Sequence, residues 1–348
     1  MGISEDYRPR TEYSELMDYR PLGSTGMMVS AACMGTMTYG WEPDDWGSHE
    51  KEALEINAKA LELGITFFDT ADVYARGVSE TILGKAIKGK RDKLVIATKC
   101  HGRMADDDPN AWGNSYKHVV EACEASLKRL GTDWIDLYQI HRPQPEIPID
   151  ETLRALDDLT RAGKIRYAGC STFAAWQVCE AHYVAKELGA RGFVCEQPPY
   201  NLLDRRIERE LLPFCRTYHY GVIPWSPLAG GQLSGKYLDK PDAGRYAKSD
   251  PMGRVNKAST NAVKKLKRIA DRNGMSLTTM ALAWVANQPG ITSPIIGARS
   301  HAQLEESAQA CCTRLSDKVL AEIDKVVAPG SNVLNYYTAN FGPNARPR

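Results

Sequence analysis

Four side chains in this sequence have the types to polarise a carbonyl group and protonate its oxygen: Asp69, Tyr74, Lys99 and His141. A free phenol titrates near about 10, too high for an efficient acid at neutral pH. A lysine ammonium beside a phenol favours the phenolate, and exclusion of water strengthens the attraction. A lysine that stays charged when buried needs a carboxylate partner, and Asp69 can supply one. A histidine on the other side of the carbonyl can orient it and donate a hydrogen bond. Each residue taken alone has an ordinary structural reading: a loop-capping carboxylate, a half-buried loop aromatic, a strand-end charge, a satisfied interior histidine. Taken together they deliver a proton but hold no hydride donor, so a reduction would draw its hydride from a cofactor.

The elements that must position these residues are legible around them. The apolar run Ile65–Phe68 reads as a buried strand and stops at Asp69, with Tyr74 one tight loop further on. Leu94–Thr98 stops at Lys99, and Trp134–Ile140 stops at His141. Three strands thus deliver ionisable groups at their carboxyl ends, where parallel α/β folds place their chemistry. Further strands are expected at Ala31–Met34, Ile165–Cys170, Phe193–Gln197, Gly221–Trp225 and Ser293–Ile296. Helices are expected after Ser48, from about Ser115 to Leu130 with Gly131 as the stop, from Asp150 to Arg161, from Phe173 to Leu188, and from Ile207 to Tyr218. Others are expected over Ala262–Asn273, Leu277–Ala286, His301–Cys311 and Ser316–Val327. Eight strand–helix units argue for a (β/α)8 barrel; a doubly wound dinucleotide fold would want GxGxxG after its first strand, and none is present. A Gly-turned hairpin around Gly23–Gly26 precedes the barrel, and Ser226 to about Thr260, without helical or strand period, reads as a long covering loop. Residues 1–17 read as a flexible extension, and 18–348 as a single domain that includes a tail at 328–348.

Composition narrows the function classes. With 348 residues, 43% hydrophobic and 25% charged, the chain can bury a large core. A formal net charge of +1 gives no global field for nucleic acid or membrane, and the basic run Lys264–Arg268 sits in a helical pattern as a solvated face. No apolar run approaches the roughly 20 residues that span a bilayer, and residues 1–17 lack the apolar core of a secretory leader. Nine cysteines without CxxC spacing suit free thiols in a reducing cytoplasm. His101, His118 and His141 lack HExxH-type spacing, so no metal site is expected.

The stretch from Gly64 to Tyr74 resembles the signature of the aldo-keto reductase superfamily. Ala97–Lys99, Asp136–Pro143, Gly169–Phe173, Glu196–Leu203, Ile223–Gly231 and Ile295–Ser300 continue the resemblance over roughly residues 19–327. It implies a (β/α)8 barrel that binds NADPH and reduces an aldehyde or ketone, with a small-molecule carbonyl as its partner and a monomer or homo-oligomer as its state. It makes Tyr74 the general acid, Lys99 the cation that assists it, Asp69 the partner of Lys99, and His141 the residue that orients the carbonyl. Ser171, Thr172 and Gln197 would face the nicotinamide carboxamide, with Asp69 beside them, and Trp225 would stack on the ring. Ser226, Pro227, Leu228, Ala229, Gly230 and Lys236 would follow the pyrophosphate. Gly297, Arg299 and Gln303 would receive the adenosine 2′-phosphate, Glu306 and Ser307 the adenine, and Gly35, Thr36 and Met37 would touch the cofactor from the first barrel loop.

Within the superfamily the chain is similar to the branch holding bacterial sugar and aldehyde reductases and the β subunits of voltage-gated potassium channels, because Trp225 replaces the tyrosine of the monomeric mammalian-type branch. Thr172 stands where many members carry Asn or Arg, and Ser307 where Asn is usual. His141 is retained where the channel subunits carry Asn. That favours a working reductase over the other class considered, an NADPH-binding regulatory subunit. Tyr39, Trp41, Trp112, Arg142 and the tail near Tyr336–Tyr337 are the expected substrate wall, suited to sugars, aryl carbonyls or polycyclic ketones alike.

Overall fold

Side chains along a strand alternate between its faces, and here the alternation separates two environments. Cys33, Phe67, Ala97, Leu137, Cys195 and Ile223 form one small buried cluster, while Met34, Phe68, Ile96, Tyr138, Ile140 and Cys170 belong to a much larger one that includes the helices. The first set points into a barrel and the second packs beneath its helical jacket. The computed structural model describes residues 17–41, 47–239, 246, 250 and 253–334.

A hairpin, β1 (Tyr19–Pro21) with β2 (Met28–Ser30), opens the fold. Eight parallel strands follow: β3 (Cys33–Gly35), β4 (Phe67–Asp69), β5 (Val95–Cys100), β6 (Ile135–Ile140), β7 (Ile165–Ser171), β8 (Phe193–Gln197), β9 (Gly221–Val222) and β10 (Ile295–Ile296). Each pairs with its sequence neighbour, and β10 returns to β3. The Thr292 amide donates to Val222 O at 2.8 Å and the Ile295 amide to Pro224 O at 2.9 Å, which joins the two ends of the sheet. The expected (β/α)8 barrel is therefore what forms. The hairpin stoppers its amino-terminal end: Leu22 is wholly buried in the inner cluster. Gly23 has φ +57°, and a Cβ there would fall 2.5 Å from the Gly221 amide, so only glycine lets the turn press this close.

The jacket is α1 (Glu50–Glu62), α2 (Val78–Ile87), α3 (Tyr116–Leu130), α4 (Ile149–Arg161), α5 (Ala175–Glu187), α6 (Leu211–Thr217), a short α7 (Lys236–Asp239), α8 (Lys257–Arg272), α9 (Leu277–Ala286), α10 (His301–Cys311) and α11 (Asp317–Val326). Ser115 caps α3 by accepting the His118 amide, and Gly131 ends it in the left-handed conformation, as the sequence suggested.

Four boundaries differ, each for a local reason. Ser48 does not cap α1; it sits in a bridge with Tyr39, and the helix starts behind His49, whose amide donates to Glu52 Oε2. The helix expected from Ile207 is split, because Pro213 has no N–H for the bond that would carry α6 back to Arg209, leaving a 3-10 turn at Arg206–Glu208. Helix α8 starts five residues before the expected Ala262, since Asn256 Oδ1 accepts the Ala258 and Ser259 amides. The covering segment is not without helix either: it holds a 3-10 turn over Ala229–Ser234 and then α7.

Of the expected amino-terminal extension only Met17 lies among the described residues, and it is buried against Cys312. Of the tail, Ser331 and Val333 hydrogen-bond back to the 203–205 loop; Tyr336 and Tyr337 lie outside the described residues.

Candidate active site

Above the apolar floor the inward positions turn polar. Asp69 ends β4, Lys99 and Gln139 are neighbours across β5 and β6, and Gln197 ends β8. Lys99 is fully buried and donates to Asp69 Oδ1 at 2.5 Å, to Thr70 O at 2.7 Å and to Tyr74 Oη at 3.3 Å. Burial works against the charge on Lys99, but Asp69 and then Tyr74 outweigh it and raise its pKa above the ordinary value. The lysine is thus an ammonium with all three donors engaged. A buried ion pair of this kind stays favourable only with such additional hydrogen bonds.

Tyr74 begins a 3-10 turn in which Ala75 and Arg76 have φ of +47° and +50°. Its ring is half-buried, with Lys99 Nζ 4.9 Å from its centroid. His141 faces it edge to face at 5.8 Å and 81°. The His141 pKa is pushed well below the ordinary imidazole value, by burial first and then by the charges of Arg142, Lys99 and His101. At neutral pH it is a neutral ring, able to donate one N–H toward the space beside the Tyr74 hydroxyl. All four expected residues meet at one rim.

That rim also concentrates backbone strain. Thr172, Ser226 and Ala229 have φ of +64°, +53° and +50°, positions that cost non-glycine residues about 1–3 kcal/mol each. They follow β7 and β9, together with the two strained residues after β4.

The remaining expected residues divide. Ser171 lies in the rim with its hydroxyl on Gln197 O, and Arg142 bridges His141 O and Thr172 Oγ1. Trp225 is held by its amide on Pro198 O, and Asn201 buttresses the next residue by donating to Ser226 O. Leu228, Ala229 and Gly230 form the turn after it, and Tyr246, stacked on Tyr237, lies over Gly230. Lys236 has a lowered pKa, from burial first and then from the charge of Arg299. Two cations close enough to disturb one another, with open space over Gly297 two residues before Arg299, are of the kind that would suit a phosphate group. Trp41 and Trp112 are about two-fifths exposed, and Arg103 and His101 flank the Trp112 ring.

Tyr39 is a correction. It is wholly buried in the outer core, where burial raises its pKa, and so it lines no substrate wall. The Thr36 hydroxyl is likewise turned away, bonded to Ser79 Oγ and Asp69 O. Ser307 is buried on α10, and the half-buried Glu306 has its carboxylate on the Ser276 and Thr279 hydroxyls. Gln303 has its side-chain oxygen on the Arg299 amide.

Sequence reasoning missed Gln139, His101 and Asn114. Gln139 Nε2 donates to Asp69 Oδ2 at 3.1 Å. His101 Nδ1 pairs with Asn114 Oδ1 at 2.9 Å, and Asn114 Nδ2 donates to Arg142 O. The signal for Gln139 was present, since Leu137, Gln139 and His141 share one phase of β6 and the middle one is polar.

The structure is a barrel of eight parallel strands with a buried Asp–Lys pair that reaches a tyrosine at its rim. The chain belongs to the aldo/keto reductase family, whose model matches residues 31–328. It is 38% identical to the uncharacterized oxidoreductase YrpG of Bacillus subtilis, over 92% of this chain and 99% of that one. It is 37% identical to a Schizosaccharomyces pombe protein named for a proposed role as a voltage-gated potassium channel subunit beta (89% and 93%). Versiconal hemiacetal acetate reductase of Aspergillus parasiticus is 33% identical (90% and 98%).

Proposed function

We propose that this protein is an NADPH-dependent carbonyl reductase that converts an aldehyde or ketone to an alcohol. The observation that carries the reading is the unbroken chain Asp69–Lys99–Tyr74 with a neutral His141 opposite. A carbonyl oxygen lodged between Tyr74 Oη and His141 accepts one hydrogen bond from each. Tyr74 gives up its proton to that oxygen, and the Lys99 ammonium, already donating to Oη, stabilises the oxygen left behind. Asp69 keeps Lys99 charged through the step. Bound NADPH supplies the hydride. Trp225 would carry the nicotinamide ring, and Lys236 with Arg299 the phosphates, the 2′-phosphate giving NADPH its advantage over NADH. Trp41, Trp112 and Arg142 favour an aromatic or hydroxylated carbonyl as substrate.

A regulatory, cofactor-sensing subunit is the second reading, favoured only by the channel-subunit names of the fission-yeast, Arabidopsis and rice relatives. One assay separates the two: oxidation of NADPH and of NADH against aryl aldehydes, keto-sugars and bulky ketones. Turnover that falls about 10²–10⁴-fold in Tyr74→Phe, with NADPH binding intact, is the expected result. Near-normal turnover in Tyr74→Phe would sink the mechanism.

A further inference from the structure

Gln139 occupies a place in this site for which the chain Asp69–Lys99–Tyr74 has no use. It is wholly buried, inside the barrel, and its Nε2 donates to Asp69 Oδ2 at 3.1 Å. Gln197 Nε2 donates to the same Oδ2 at 2.9 Å and to Gln139 Oε1 at 3.1 Å. An amide nitrogen has two protons, so both protons of Gln197 are directed inward. Its Oε1 is the polar atom left to face a ligand. Room for the crossing comes from β7, where Gly169 stands opposite Gln139: a Cβ there would lie 3.1 Å from Gln139 Cγ. Asp69 is in turn divided, with Oδ1 on Lys99 and Oδ2 on the two amides.

We infer that Gln139 is a positioning residue that fixes the Gln197 side chain as a hydrogen-bond acceptor, and so makes the cofactor site read the NH2 group of the nicotinamide carboxamide. Without the Gln139 oxygen, Gln197 keeps its bond to Asp69, but its second Nε2 proton is released and can be offered to a ligand as a donor beside Oε1. A donor and an acceptor at this point call for opposite ends of a carboxamide, and therefore for carboxamide orientations that differ by a half-turn about its bond to the ring. Gln139 thereby couples the carboxylate that holds Lys99 to the group that orients the carboxamide. This inference rests on the cofactor reading given under Proposed function.

The probes are NADP⁺ and its 3-acetylpyridine analogue, in which a methyl group replaces the carboxamide NH2. Binding to the wild type and to Gln139→Met is followed by quenching of tryptophan fluorescence, with no turnover required. An acceptor left facing a methyl loses its hydrogen bond, so the wild type should prefer NADP⁺ by about tenfold. In Gln139→Met the preference should shrink to roughly threefold or less, because Gln197 can then offer its freed N–H to the acetyl oxygen as well as its own oxygen to an NH2. A residue that merely fills space would weaken both ligands together and leave the ratio unchanged. Should Gln139→Met fail to fold, Gln139→Asn keeps an amide that is one methylene too short to span to Gln197, and its ratio should fall likewise. An unchanged ratio in a folded variant overturns the inference alone. Failure of the wild type to bind either nucleotide overturns the cofactor reading and this inference with it.

Discussion

Two buried charge clusters lie on opposite faces of the barrel wall around β4 and β5, and only one of them ends in a group placed to pass on a proton. On the inner face of β4 and β5, Lys99 holds Asp69 and reaches Tyr74. On the outer face Thr98, one residue earlier, donates to Glu80 Oε1 at 2.5 Å, and Arg129 of α3 reaches Glu80 Oε2 at 2.6 Å. Glu80 is wholly buried and Arg129 only half so. Asp72 lies beside them, and burial first, then the charge of Glu80, pushes its carboxyl well above the ordinary carboxylate range. Asp69 with Lys99, and Glu80 with Arg129, both satisfy the requirement that a buried charge be paired and hydrogen-bonded. The outer one is closed: its groups fasten α2 and α3 to the barrel wall. The inner one leaves a half-buried phenol at its end, next to a neutral imidazole and open rim. Buried ion pairs are therefore a poor guide to function by themselves. What marks the catalytic one is a titratable group at its edge with somewhere to send a proton.

Substitutions on the two faces should fail in different ways. Lys99→Met, the largest expected effect, should lower kcat by about 10²–10⁴-fold at saturating NADPH, since the Tyr74 oxygen loses the cation that hydrogen-bonds to it. Asp69 keeps its two amide donors, so the protein should still fold. Single-turnover hydride transfer measures the loss, and a Lys99→Met enzyme within a few-fold of wild type would break the comparison at its inner half. Arg129→Met should do the reverse. It leaves Glu80 buried with a threonine hydroxyl as its remaining partner, a change that typically costs about 3–5 kcal/mol of stability. Urea unfolding should show that cost while kcat, assayed well below the unfolding temperature, stays within about twofold. A hundredfold drop in kcat for folded Arg129→Met would mean that the outer cluster is part of the catalytic unit after all.

How far this contrast could be read in advance depends on the range of the interactions. Strand-end chemistry was legible, because Asp69, Lys99 and His141 each follow an apolar run that names its own strand. Helices α3, α9 and α11 begin within a residue of where they were expected, each held by a serine cap, Ser115, Ser276 and Ser316. What escaped was set by neighbours distant in sequence. Tyr39 looked like a loop aromatic, but a bridge to Ser48 folds it under α1. Glu80 and Arg129 are 49 residues apart and share no motif. Gln139 and Gln197 meet only because Gly169, on the strand between theirs, leaves a gap.

The smallest expected effect concerns His141, and it tests the electrostatic claim on which the inner cluster depends. The reading is that His141 stays neutral, its pKa depressed by burial first and by the surrounding cations Arg142, Lys99 and His101. A group with a depressed pKa contributes stability that is fully present above its unfolded value, here 6.5, and lost as pH falls toward the folded value. Between 6.5 and the folded value the unfolded chain takes up a proton that the fold refuses, so acidification through that window favours unfolding. One such proton changes the unfolding free energy by at most about 1.4 kcal/mol per pH unit. His101, His118 and His182 are shifted the same way and add slopes of their own. The informative quantity is accordingly the difference between the wild type and His141→Gln, whose neutral amide cannot titrate. Between pH 7.5 and 5.5 the wild type should lose more stability than the variant, by about 1 kcal/mol. The outer cluster contains no histidine, so Arg129→Met should keep the wild-type share that belongs to His141. Matching slopes in wild type and His141→Gln would show that His141 accepts its proton in the fold as readily as outside it. A charged imidazole would then face Lys99 across the rim, and the division between a neutral orienting group and a cationic assisting one would have to be redrawn.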